Sequence, residues 1–248
     1  ARAQDAQHVL LGEHHDNPQH HRGQAWILSQ LGGTHPRVIF EMVDDDAMAA
    51  RIEAGEDVSA AWAQAGWPLY DDYQQIFQVV VDQGLRVAAG LPNRARVVTV
   101  VKERLGSLSP EERRDLRLNE ALDDALFSQL RDEMVAAHCG HAHPYIDGMV
   151  DAQRFKDAWM ARVMRQAESR SVVIAGKGHT RQDRGIPSFS DGRVLSIHFV
   201  EVQPGRATLE DYGRELSQAQ VVWFTAPVDR GDPCAMFKRK MPSDRRAK

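Results

Sequence analysis

The chain has 248 residues, room for one large domain or two small ones and for a substantial buried core. Hydrophobic residues make up 42% and charged residues 27%, a globular balance that argues against disorder. With 31 basic against 35 acidic side chains the formal net charge is -4, so there is no basic field to draw in nucleic acid.

In chain order, short apolar runs rich in β-branched residues recur at 8–11, 37–42, 85–89, 171–175, 194–202 and 221–225, and each reads as a buried or half-buried strand. Helical patterns separate the first three. Residues 21–31 carry Ala25, Leu28 and Leu31, and residues 70–82 carry Tyr73, Ile76, Phe77 and Val80 at i, i+3, i+4, i+7. This alternation predicts βαβ units and an α/β fold with a largely parallel sheet flanked by helices.

Between 96 and 169 no strand pattern is found. Ser109-Pro110-Glu111-Glu112 is a helix start, and Leu116, Leu118, Leu122, Leu126, Leu130 and Met134 follow at near-helical spacing. A second helix runs from Met149 to about residue 167. The expected organisation is an α/β core from 1–95 and 170–235, an all-helical subdomain inserted at 96–169, and a basic tail at 236–248. No apolar run approaches the roughly 18 residues of a membrane span.

In parallel sheets, ligands sit beyond the carboxyl ends of the strands. Here those ends deliver Glu13 and His15, then Glu41, then Asn93 and Arg94, then His179. Each alone reads as a cap or turn residue. Together, His15, Glu41 and His179 are a candidate metal or acid–base set, with Glu13, Asn93 and Arg94 around the cleft.

Seven of the eleven histidines fall in two clusters. The second is His138-Cys139-Gly140-His141-Ala142-His143-Pro144-Tyr145. No other Cys/His pair has zinc-ligand spacing, and Cys139 reads equally as a small buried hydrophobe. Tyrosine and histidine both serve as axial ligands to haem iron, and Met149, Phe155, Trp159 and Met160 offer an apolar slot or plain core.

Six short motifs, in order, resemble the ChaN-like haem-binding family. They are Leu10-Leu11-Gly12-Glu13-His14-His15-Asp16-Asn17-Pro18, Phe40-Glu41-Met42, Gly90-Leu91-Pro92-Asn93-Arg94, His138-Cys139-Gly140, Gly148-Met149-Val150, and Ile174-Ala175-Gly176-Lys177-Gly178-His179. The resemblance implies a bacterial cell-envelope lipoprotein of haem uptake, periplasmic or at the outer membrane, anchored by a lipid outside the chain as given. It implies ferric haem, as haem b, held by a tyrosine, with a homodimer that places haem at its interface. Tyr70, Tyr73, Tyr145 and Tyr212 are the choices, and Tyr145 is favoured because it lies among His138, His141 and His143, with Met149 nearby. The wider group includes TIKI and erythromycin-esterase-like enzymes, whose working positions carry over to His15, Glu41 and His179. The alternative reading is therefore a metal-dependent hydrolase using those three. Lys177 departs from the family pattern, where Asn is expected.

Overall fold

The computed structural model describes residues 2–67, 69–140, 143–167, 170–231 and 234. The chain runs α1 (Arg2–Asp5), β1 (His8–Glu13), α2 (Pro18–Leu31), β2 (Arg37–Phe40), α3 (Asp46–Glu53), α4 (Ser59–Gln64), α5 (Tyr70–Asp82) and β3 (Val87–Ala89). It continues through α6 (Arg94–Glu103), α7 (Pro110–Asp115), α8 (Asp124–Ala137), α9 (Ile146–Arg165), β4 (Ser171–Gly176), β5 (Val194–Glu201), α10 (Gly213–Ser217) and β6 (Val221–Thr225). The strands form one sheet of order β3-β2-β4-β1-β5-β6. Every pairing is parallel. This is the α/β class expected from the sequence, and all six expected strand runs lie in the sheet.

Strand side chains alternate between the two faces, as the period of two requires. Val9, Leu11, Val38, Phe40, Val172 and Ile174 enter one core with α2 and α5; Leu10, Ile39, Val173 and Ala175 enter the other with α9. α9 is therefore a layer of the core, packed directly on the sheet. The helix after β1 and the helix before β4 lie on opposite faces, which leaves the carboxyl ends of these neighbouring strands open between the layers.

Local chemistry sets the element ends. Asn17 caps α2 by accepting from the Gln19 amide, with Pro18 at the first helical position. Ser109 and Glu112 form a reciprocal capping box at α7. The Leu116–Met134 run is not one helix. α7 stops at Asp115, Arg117 takes φ +58°, and Leu116 and Leu118 bury in the turn before α8 begins at Asp124.

Cys139 is half-buried and joined to Cys234 in a disulfide, which overturns its reading as a small buried hydrophobe. Among the described residues no helix is long and apolar enough to cross a membrane. The expected tail at 236–248 lies outside the described residues.

Candidate functional site

Four strand-end side chains meet in one network at the open edge. Glu13 ends β1, His15 follows two residues on, Glu41 directly follows β2, and His179 lies three residues beyond β4. His15 Nδ1 is 2.7 Å from Glu13 Oε1, and its Nε2 is 3.5 Å from Glu41 Oε2. His179 Nε2 is 3.0 Å from Glu41 Oε1, while its Nδ1 is 2.5 Å from Asp157 Oδ1 on α9. The Gly176 amide donates to Glu41 Oε2 at 2.8 Å. A side chain at Gly176 would place its Cβ 2.9 Å from His15 Nε2, so any larger residue would push that imidazole from its place.

Two aromatic residues wall the network. The Tyr73 hydroxyl, on α5, donates to Glu13 Oε1, and the Trp67 ring lies 4.9 Å from that of His15. Glu13, Glu41, Asp157 and His179 are buried; His15, with 29% of its side chain exposed, is the part solvent reaches.

Burial opposes every charge here, and pairing decides which charges persist. Burial disfavours ionised Glu13 and Glu41, but the histidines beside them hold both carboxyls far below the usual range. Burial also opposes the His179 cation, yet Glu41 and Asp157 raise its pKa to about 9. Burial raises Asp157 to about 6, because Glu41 adds to the effect while His179 offsets only part of it. His15 is raised by Glu13 and Glu41 against its own desolvation. The set thus alternates carboxylates with imidazoles whose protonated forms they favour, closed on itself by short contacts.

A metal needs the neutral imidazole, so binding one here would release any proton these carboxylates hold on the rings. Among the described residues no group of three or more His, Cys, Asp or Glu side chains has metal-holding geometry.

The remaining expected cleft residues do other work. Asn93 caps α6 by accepting from the Arg96 amide, and Arg94 is exposed; neither joins the network. Lys177 turns away from it, toward a cavity shared with Arg181, Arg184 and Arg214. Asp157, Tyr73 and Lys156 belong to the site without having been singled out for it. Lys156 Nζ is 3.9 Å from Glu41 Oε1. Asp157 and Lys156 flank the apolar stripe of a helix buried on most sides, and Tyr73 reads as part of the apolar stripe of α5.

The second histidine cluster sits elsewhere, at the turn from α8 to α9. His138 Nδ1 is 2.7 Å from the Met134 carbonyl oxygen. His143 is exposed, its Nδ1 accepts from the Tyr145 amide at 3.2 Å, and the two rings are 5.5 Å apart. His141 lies outside the described residues. Met149 is half-buried one turn along α9, whereas Phe155 and Met160 are fully buried in the core and form no slot. Tyr145 itself is 46% exposed.

The fold is similar to that of ChaN of Campylobacter jejuni, whose structure shows cofacial haem binding, with a TM-score of 0.68 and 20% identity. That match covers 89% of this chain and 88% of the other. Weaker likenesses link it to the type III effector HopBA1 (TM-score 0.47, 14% identity, 91% and 90% of the two chains). Another is to a mutant of the erythromycin esterase EreC in its open conformation (TM-score 0.42, 14% identity, 81% and 74%). No curated protein matches the sequence. The family model described as haem-binding uptake, Tiki superfamily, ChaN matches residues 1–189, and the chain belongs to that family.

Proposed function

We propose that this protein binds ferric haem through the Tyr145 phenolate and carries it without chemistry on the porphyrin. One observation carries the assignment of the ligand. Among the described residues, Tyr145 is the tyrosine whose hydroxyl has no hydrogen-bond partner, and it faces solvent. The Tyr70 hydroxyl accepts from the Val58 amide. Tyr212 accepts from the Gln203 amide and donates to the Arg206 carbonyl. Tyr73 is buried on Glu13, and burial together with that carboxylate pushes its phenol well above the usual value, away from the phenolate iron needs.

The donor set fits haem: a free phenol, the His143 imidazole beside it, and the Met149 thioether one turn away. Bound there, haem b would supply a ferric centre; the protein's part would be to orient the phenolate and steady it with His143. An exposed ligand of this kind suits a homodimer in which a second copy covers the haem. The Cys139–Cys234 disulfide supports an oxidising compartment, consistent with a periplasmic or outer-membrane lipoprotein role in iron uptake. Haemin-loaded protein should lose or shift its ferric spectrum in Tyr145→Phe with the fold intact by circular dichroism. An unchanged spectrum would remove Tyr145 from the role.

The closed network of His15, Glu41 and His179 favours a second reading, a hydrolase acting through an activated water. Against it, Glu41 and Asp157 favour the His179 cation and the flanking imidazoles favour ionised Glu41, which lowers the basicity of both groups. Stoichiometric metal in the pure protein, lost in His15→Ala, would favour the enzyme.

A further inference from the structure

α8 packs on α9, yet of its 14 residues only Leu130 is buried. Leu126, Phe127, Met134 and Val135 are left half-buried. A cavity of about 360 Å³ opens between α8 and α9, with Leu122, Leu126, Leu130 and Met134 as its apolar wall. Its charged lining is balanced, Arg117, Arg154 and Arg184 against Glu120, Glu133 and Asp157, so what the cavity lacks is apolar cover.

The solvent face of the same helix is acidic. Asp124 and Asp132 are exposed about two turns apart, and neither has a hydrogen-bond or ion-pair partner among the described residues. Glu133, beside them, is already shared by Arg184 and Arg214.

The disulfide brings one segment of this chain to that surface. Cys139 follows the end of α8, and its bond holds Cys234 with the two Cα atoms 5.6 Å apart. Directly after Cys234 come Ala235-Met236-Phe237-Lys238-Arg239-Lys240, an apolar pair and then a basic run. The stretch 235–248 lies outside the described residues; it carries Lys238, Arg239, Lys240, Arg245, Arg246 and Lys248 against the single acid Asp244, a charge opposite in sign to that of α8. At the reach of an extended chain, Met236 and Phe237 fall within about 10 Å of the disulfide, at the end of α8 where Met134 and Ala137 line the cavity. α8 is about 21 Å long, so the remaining residues can follow it to Asp124. A segment tethered this way meets the helix at an effective concentration of about millimolar, which lets modest contacts hold it.

We propose that residues 235–248 dock along α8 of the same chain. Met236 and Phe237 cover the apolar mouth of the cavity, Lys238, Arg239 and Lys240 pair with Asp132, and Arg245 and Arg246 pair with Asp124. So docked, the segment closes the cavity that reaches Asp157 and leaves the half-exposed His15 as the network's side toward solvent. The inference does not rest on haem ligation by Tyr145, and its test needs no haem.

Limited trypsin digestion of the oxidised full chain, read by mass spectrometry, tests it through cleavage after Arg239 and Lys240. These bonds should be cut at least tenfold more slowly in the parent than in the double variant Asp124→Asn, Asp132→Asn, which leaves every tryptic site in place. Phe237→Ser, outside the folded core, should speed the same cuts at least tenfold. Protection in the parent should be independent of protein concentration. Cleavage in the parent as fast as in the variants, or parent-like protection in Phe237→Ser, would overturn the proposal. So would protection lost on dilution, which would give the groove to a second copy.

Discussion

At the scale of single residues, Glu41 stands between the imidazoles of His15 and His179 and favours the protonated form of both. Removing one member of a buried ion set leaves its partners uncompensated, at a cost of about 3–5 kcal/mol. Glu41→Gln is therefore expected to lower the urea unfolding free energy by that amount, and a loss under 1 kcal/mol would show the network to be dispensable. His20 and His198 behave oppositely to His179. Burial holds both down to about 4, with His20 further lowered by its neighbour His14 and His198 partly restored by Thr180. Because their folded pKa lies below the ordinary 6.5, the stability they contribute is present above pH 6.5. It is lost as pH falls through about 4, on the order of 3 kcal/mol each. Asp157, raised to about 6, offsets part of this. Melting followed between pH 7 and 4 should show a steep fall that softens in His198→Asn. Glu13, His15, Glu41 and His179 were legible because strand ends announce themselves by hydrophobic pattern. Asp157 was not, since nothing in a helical stripe tells which polar flank will face inward.

Among the elements, α9 is the one on which the site depends: it places Asp157 against His179 and carries Tyr145 at its start. Its position is set by a close crossing with α6. A Cβ on Gly148 would fall 1.8 Å from the Val101 carbonyl oxygen, and backbone cannot step aside as a flexible side chain would. Gly148→Ala should destabilise by about 1–3 kcal/mol in urea melts and shift α9 relative to the sheet. An unchanged midpoint would show that the helices part freely. The sequence read α5 to the residue and α9 to within three residues at its start, because both have long periodic stripes. It missed α3, α4 and α6, where short runs of alanine, valine and charge lack a clean period. It also joined Leu116 and Leu118 to the following helix, because a buried turn imitates helical spacing.

For the whole molecule, the parallel order and the opposite-face packing of α2 and α9 create the open edge, and that much follows from alternating strands and helices. The Cys139–Cys234 link was out of reach, since two cysteines 95 residues apart pair only once the fold brings them together. That disulfide joins the segment after β6 to the end of α8, beside the turn that carries His143 and Tyr145. The most direct test of the haem-carrier reading is titration of the purified protein with haemin, followed in the Soret region with sizing before and after. The account predicts a saturable shift of defined stoichiometry and an increase in size as two copies enclose the haem. No saturable shift would contradict it.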